Sequence, residues 1–288
     1  MILIDLNQVM ISNLMMQVSK NGGVIEEDLI RHMVLNSLRG YKQKFGSDYG
    51  EIVICADDRK YWRKDVFPYY KQGRKKDREA SPYDWKMIFD TLNKVKEEIK
   101  ENFPYKVMQV EGAEADDIIG TIVHKYGTHL MNDSTEKLLI LSSDKDFMQL
   151  QKFMNVDQYS PMQKKFLRTN NAEEFLKEHI MKGDRGDGIP NYLSEDSVFV
   201  TGGRQKPLGP KRIEKIIDLD PDQFCANEFQ LRNYSRNELL IDLSKIPSEL
   251  KERVLDKFDT YKTNPRSKVF DYLVKNRMKH LLEVIQEF

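Results

Sequence analysis

Cysteine is nearly absent from this chain: two in 288 residues, Cys55 and Cys225, far apart in sequence. That excludes a disulfide framework and points to a reducing compartment, the cytoplasm. Cys55 sits inside an apolar run and reads as a small buried hydrophobe. The five histidines are scattered and, with two cysteines, offer no zinc-ligand spacing. No apolar run approaches the roughly 20 residues a membrane helix needs, so no membrane association is expected. The start, Met1-Ile2-Leu3-Ile4-Asp5, reads as a strand rather than a signal peptide, having neither a basic leader nor a cleavage site. Net charge is missing too, with 46 basic and 46 acidic residues. The zero hides segregation. Arg59 to Arg78 carries nine Lys/Arg against Asp65 and Asp77. A basic stretch of that kind marks a polyanion partner even in a neutral chain.

What is present alternates. Apolar runs near residues 1–6, 51–56, 105–110 and 137–143 predict strands, with a fifth at 155–159 closed by Ser160-Pro161. Helical spacing falls between them. One helix is predicted from Asn7 to Ser19, broken by Asn21-Gly22-Gly23. A second runs from about Glu26, with Gly46 and Gly50 marking its end. A third starts at Ser81-Pro82-Tyr83-Asp84, read as Ser at the N-cap, Pro at the first helical position and Asp at the third. A fourth follows Gly112 and ends near Tyr126-Gly127. A polar loop spans Met131 to Glu136. Short, wholly apolar strands alternating with helices predict an α/β fold, a mainly parallel central sheet flanked by helices. Past about Ala172 helical segments dominate. The expected division is an α/β domain over 1–171, with the basic segment at about 59–82, and a smaller helical domain over 172–288.

Each of the first four strands delivers acid at its carboxyl end: Asp5, Asp57, then Glu114, Asp116 and Asp117, then Asp144 and Asp146. In an open parallel sheet those ends share one edge, where ligands bind. Asp144 and Asp146, two apart, point the same way if the backbone is extended; Asp146 could equally cap a helix starting at Phe147. Glu114 and Asp117, three apart, share a helix face. The Gly-rich stretch Lys182 to Pro190 adds Asp184 and Asp187. Nine carboxylates cannot share a cleft unless cations neutralise them. All-oxygen ligation selects Mg²⁺ or Mn²⁺. Nine donors suit two ions, and two metals ~4 Å apart suit phosphodiester cleavage, one activating water and the other stabilising the leaving oxygen. A single Asp at a strand end is ordinarily a turn residue, and Asp58 is read so. The ensemble is harder to explain that way, since four strands would need the same accident.

These residues resemble the flap endonuclease/5′-nuclease superfamily. The resemblance rests on Ile4-Asp5, Cys55-Ala56-Asp57, Glu114-Ala115-Asp116-Asp117, Ser143-Asp144-Lys145-Asp146-Phe147, and Gly183-Asp184 with Asp187 and Ile189-Pro190. Tyr61 to Asp65, Tyr69-Tyr70-Lys71 and Ser160 to Lys165 are similar to its ribonuclease H branch in T-even phages, whose members are 5′-nucleases. It spans nearly the whole chain. It implies a Mg²⁺-dependent 5′→3′ exonuclease and flap endonuclease with two ions, Mn²⁺ substituting. Asp5, Asp57, Asp116 and Asp144 would match the first ion's shell. Asp146, Asp184 and Asp187 would match the second, with Glu114 and Asp117 acting through water. The basic segment would form an arch or clamp, with Lys71 and Arg74 on the scissile phosphate, Arg63 on a further phosphate and Tyr70 stacked on a terminal base. Lys75 and Lys76 would extend the phosphate-binding surface. Gly209, Lys211 and Arg212, with the Gly183–Pro190 loop, look like a helix-hairpin-helix that holds duplex without reading sequence. Here Gly188 and Asn191 depart from the family's usual Asn and Gly, and Asn191 to Pro207 is longer than usual.

The implied substrates are DNA and RNA/DNA duplexes with 5′ ends or flaps, and the implied role is removal of RNA primers and adjacent DNA on the lagging strand. The implied partners are a single-stranded-DNA-binding protein and a sliding clamp, the implied state a monomer in the cytoplasm of a host cell. Two other readings share parts of the pattern: a PIN-like ribonuclease, which would not need the Gly-rich loops, and a catalytically inactive nucleic-acid-binding module, which should have lost acids.

Overall fold

Strands form where residues are apolar on both faces, and a parallel sheet covered on both sides is the arrangement that buries them. The computed structural model describes residues 1–20, 26–130, 132 and 135–288. The Asn21-Gly22-Gly23 turn, and part of the 131–136 loop, lie outside the described residues. In chain order the elements begin β1 (Ile2–Asp5), α1 (Leu6–Lys20), α2 (Glu27–Tyr49), β2 (Ile52–Cys55), α3 (Arg63–Val66), α4 (Gly73–Glu79), α5 (Trp85–Asn102), β3 (Lys106–Met108) and α6 (Ala115–Tyr126). After β4 (Leu138–Leu141), a 3₁₀ helix (Lys145–Lys152), β5 (Val156–Ser160) and β6 (Lys165–Leu167), the chain becomes helical. There it forms α7 (Ala172–Lys182), α8 (Pro210–Ile216), α9 (Pro221–Phe224), α10 (Glu228–Ile241), α11 (Ser248–Thr260), α12 (Ser267–Lys275) and α13 (Lys279–Leu282).

Among the described residues six strands form one sheet, ordered β3-β2-β1-β4-β5-β6. The first five are parallel; β6 is antiparallel to β5 at the edge. This sixth strand has no apolar run to announce it: Lys165 and Phe166 are exposed and Leu167 alone is buried. The sheet splits its side chains by alternation. Ile2, Ile4, Ile52, Ile54, Leu139 and Leu141 face a core shared with α1, α2 and α5. Leu3, Val53, Cys55, Leu138 and Ile140 face a core shared with α6. Full burial of such a side chain stabilises by about 1.5–3 kcal/mol, so a charge inside these runs would be costly and acids are left to the strand ends. The last helices return to the sheet: α11 packs on α6 and β3, and α12 on α5.

The order places a switch point at the centre. The chain winds outward from β1 through β2 to β3, then restarts on the other side of β1 with β4. In such sheets the crevice opens beyond the carboxyl ends flanking the switch. Register aligns those ends: Asp5 lies opposite Cys55, Ile4 opposite Leu141, and Cys55 opposite Met108.

A third cluster binds the basic segment to the helical region. Phe67 and Tyr70 pack with Ile180, Met181, Ile189, Tyr192 and Tyr234. The basic segment is therefore two short helices, α3 and α4, with its middle anchored. Gly188 explains one departure from the family pattern. Its φ is +74°, and a Cβ there would lie 2.9 Å from the Tyr69 carbonyl oxygen. Asn191 explains the other. Its Oδ1 accepts from Leu193 N (3.1 Å) and Ser194 Oγ (2.8 Å), and its Nδ2 donates to the Lys206 carbonyl (2.8 Å), tying the long loop into a closed unit.

Two boundaries differ from the sequence reading. Gly46 lies inside α2, and Gly50, at φ +85°, ends it. The α5 helix starts at Trp85, capped by Asp84 rather than Ser81, because Asp84 Oδ1 accepts from Met87 N at 2.9 Å. Ser81 Oγ instead meets Tyr83 N at 3.4 Å within the preceding turn. In urea denaturation Asp84→Ala is expected to cost about 1 kcal/mol. Ser81→Ala should stay within about 0.5 kcal/mol of the parent; the reverse ranking would return the cap to Ser81.

Candidate active site

The crevice beyond β1 and β4 holds a cleft of about 230 Å³ lined by Asp5, Asp57, Asp116 and Asp144 together with Lys71 and Arg74. A groove of about 600 Å³ adjoins it, sharing Asp57, Lys71 and Arg74 and adding Arg59, Arg78 and Lys96. An acidic floor therefore meets a cationic wall.

The floor is held by local hydrogen bonds. Asp5 ends β1; its Oδ1 accepts from Gln8 N (3.2 Å) and its Oδ2 from Ser142 Oγ (3.2 Å). Asp57, two residues past β2, accepts from Asn7 Nδ2 (2.9 Å) and Ala115 N (2.8 Å). Asp116 lies in the first turn of α6. Asp144 is extended and caps the 3₁₀ helix, Oδ1 accepting from Asp146 N at 3.0 Å. The cap is thus Asp144, not Asp146. The backbone turns helical between them, so the extended two-residue relation does not hold. Asp58 is a turn residue, its Oδ2 accepting from Gly112 N at 3.0 Å.

Burial and crowding make ionisation costly. Asp5 is pushed up to about 7, first by burial and then by the charges of Asp57 and Asp144. Asp144 is pushed up to about 7, by burial and by Asp146. Burial, Asp144 and Asp5 drive Asp116 well upward. Carboxylates destabilised in this way fit a divalent cation, whose charge would reverse each shift.

Three of the remaining acids, Glu114, Asp117 and Asp187, already have cations of their own. Glu114 is buried and holds Arg63 Nη1 at 2.8 Å, Tyr70 Oη at 3.0 Å and Lys71 Nζ at 2.5 Å. Asp117 is buried beside Arg63 Nη1 (2.8 Å), accepts from Trp62 Nε1 (3.2 Å), and its Oδ2 takes the Glu114 backbone N–H (2.9 Å). Asp187 accepts from Tyr70 Oη at 3.0 Å and pairs with Arg74 and Lys71. Burial alone would raise Asp187, but Lys71 and Arg74 hold it below its usual range. Asp187 thus faces the cationic wall, not the set expected for a second ion.

Two sequence expectations are corrected here. Arg63 is 2% exposed, and its Nε donates to the Leu240 carbonyl at 2.8 Å. It presents nothing to a phosphate; it is the counter-ion of Glu114 and Asp117, in a pairing whose loss would strand two buried charges. Tyr70 is likewise 2% exposed, so no base can stack on it. Lys75 and Lys76 are exposed on α4, and Lys211 and Arg212 on α8, with Gly209 as its N-cap. None of these is among the residues lining the cleft. Lys71 has φ +55°, a left-handed backbone unusual outside glycine, and its N–H donates to the Asp187 carbonyl at 2.7 Å.

His179 carried no signal in the sequence. It lies in the last turn of α7, and with Asp146 and Asp184 it forms a group able to hold a metal ion. Its partners are distant or follow a tight turn, where Gly183 at φ +66° leaves no room for a Cβ.

Residues 2–180 match the model of the 5′-3′ exonuclease N-terminal resolvase-like domain, and residues 171–288 that of the T4 RNase H C-terminal region. Ribonuclease H of Enterobacteria phage T4 is 34% identical over 99% of this chain and 95% of its own length. A 5′-3′ exonuclease of Buchnera aphidicola subsp. Schizaphis graminum is 30% identical over 68% of each. The flap endonuclease of bacteriophage T5, solved in a pseudo-enzyme-product complex with DNA and metal ions, superposes with a TM-score of 0.62 at 16% identity, covering 90% of this chain and 97% of that one. At that identity the likeness establishes the fold. Among the described residues no helix is long and apolar enough to cross a membrane.

A raised folded-state pKa means that the folded carboxyl binds its proton more tightly than the unfolded one. The contribution of Asp5 and Asp144 to metal-free stability should therefore be greatest below the ordinary value of 3.8 and be lost as pH rises through about 7. Asp144→Asn keeps the Oδ1 cap and removes the charge. Without divalent ions it should raise Tm by about 3–6 °C near pH 8, by less than half of that near pH 5, and not at all below the ordinary value of 3.8. Calorimetry with a chelator checks this; a lower Tm at the higher pH would contradict it.

Proposed function

The chain belongs to the 5′-3′ exonuclease family, and from that membership and the cleft's geometry we propose a divalent-cation-dependent, structure-specific 5′→3′ exonuclease and flap endonuclease. Its relatives are nuclease phosphodiesterases by name, and its substrate is nucleic acid. The observation that carries the finer reading is the acidic floor of Asp5, Asp57, Asp116 and Asp144 opposed by Lys71 and Arg74 in one cleft.

Asp5, Asp57, Asp116 and Asp144 would hold one ion, and Asp146 and Asp184 a second. Bound Mg²⁺, with Mn²⁺ as substitute, would supply water activation and leaving-oxygen stabilisation. The chain's own residues do the rest. Lys71 and Arg74 receive the scissile phosphate, and Glu114 and Asp187 hold both cations at the mouth of the cleft. A cation pre-positioned by carboxylates costs little reorganisation when charge develops opposite it. Arg63 and Tyr70 keep that scaffold rigid from behind. Lys75 and Lys76 draw the substrate backbone toward the groove through counterion release. Gly209, Lys211 and Arg212 hold duplex, as a helix-hairpin-helix would. The division at residue 172, between a nuclease region and a duplex-binding region, belongs to the same proposal and is supported by the two family matches meeting near it.

The biological reading is removal of RNA primers and adjacent DNA on the lagging strand, in the cytoplasm of a host cell. The protein would act as a monomer, alongside a single-stranded-DNA-binding protein and a sliding clamp.

A 5′-labelled flap and a nicked duplex, each with and without Mg²⁺, test the activity. Cleavage is expected only with the ion, and Asp144→Asn should abolish it while sparing binding. Lys71→Ala should slow the single-turnover rate by about 10²–10³-fold, as removal of a preorganised charge contact does. Cleavage in chelator, or an Asp144→Asn variant cutting at the parent rate, would overturn the proposal.

A further inference from the structure

His179 is 6% exposed and stacks flat against Phe175, with ring centroids 5.9 Å apart and planes within 7°. The stack helps fix the plane of the imidazole. Its Nε2 lies 3.1 Å from Asp146 Oδ1 and 3.5 Å from Asp184 Oδ2. The 3.1 Å approach lacks hydrogen-bond geometry: His179 Nε2 and Asp146 Oδ1 are both buried without a hydrogen-bond partner among the described residues. One donor atom from each of the three residues lies within 4.8 Å of the others. Two orphaned polar atoms facing one another in a buried place are costly. A cation between them would satisfy both.

We propose that His179 Nε2, with Asp146 and Asp184, ligates a divalent transition-metal ion, so that the second ion sits on a mixed nitrogen and oxygen set. This rests on reading the cleft as a divalent-cation site and refines which ion occupies its second position. The floor formed by Asp5, Asp57, Asp116 and Asp144 is all oxygen and suits a hard ion such as Mg²⁺. Imidazole shifts preference toward Mn²⁺ and the later first-row ions. The site has one competitor: Lys145 Nζ is 2.9 Å from Asp184 Oδ2, but that side chain is half exposed and free to swing aside. Asp184 Oδ1 is used by the Gly186 and Asp187 backbone N–H groups, which orients the carboxylate and leaves Oδ2 facing the imidazole.

Mn²⁺ binding to the full chain tests the assignment without reference to activity. Pulsed electron paramagnetic resonance of the Mn²⁺-saturated native protein should show nitrogen hyperfine coupling, and His179→Asn should lose it. In equilibrium titration that variant should bind Mn²⁺ at one site about tenfold or more weaker, with Mg²⁺ affinity unchanged. The native spectrum needs no variant, so a folding defect in His179→Asn leaves that arm standing. Absent nitrogen coupling in the native protein, coupling that survives His179→Asn, or equal loss of Mn²⁺ and Mg²⁺ affinity would each overturn the proposal. Failure of the broader reading looks different: the native protein would bind no Mn²⁺ at all.

Discussion

Like-charge repulsion at the carboxyl edge of the sheet is the constraint from which the rest follows. Apolar strands bury both faces and leave charge only at their ends. Register then brings those ends level. Asp5, Asp57, Asp116 and Asp144 meet where β1 and β4 flank the switch point, and among the described residues none is ion-paired with a protein cation. Burial and mutual repulsion hold the protons of Asp5, Asp116 and Asp144 well above the ordinary carboxylate range. A fold built for stability alone would have no use for such an edge. Instability concentrated at one place, while the surrounding cores are well packed, is what a site awaiting a cation looks like.

The acids divide by what neutralises them. Glu114, Asp117 and Asp187 are charge-paired from within, by Arg63, Lys71 and Arg74. Through them the basic segment is clamped to the start of α6 and to the Gly-rich loop after α7. The clamp sets where Lys71 and Arg74 stand relative to the floor. The third apolar cluster, which packs Phe67 and Tyr70 against α7 and α10, supports it from behind. The two cleft-lining cations, Lys71 and Arg74, are thus positioned by two independent means, packing and ion pairs.

The central sheet and the strand-end aspartates were legible in the chain because both depend on short-range pattern. An apolar run followed by an acid reads the same before and after folding. The individual fates of the basic residues were not legible. Arg63 and Lys64 are adjacent in one charged run, yet the first is buried under α10 and the second is exposed. Only tertiary packing decides that. Tyr70 has the same history. His179 was invisible because Asp146 lies 33 positions before it, brought close by α7 packing on the 3₁₀ helix. Asp84 displaced Ser81 as the cap because the helix begins one turn later, at Trp85, where the free Met87 N–H meets the Asp84 carboxylate. The edge strand β6 failed to show because an exposed strand carries no apolar run.

All of this depends on the strand-end carboxylates holding metal. Anomalous diffraction from crystals soaked in Mn²⁺ locates the ions directly. We predict one peak among Asp5, Asp57, Asp116 and Asp144, and a second between Asp146, His179 and Asp184. Peaks confined to the exposed surface, with the floor carboxylates bearing none, would contradict the account.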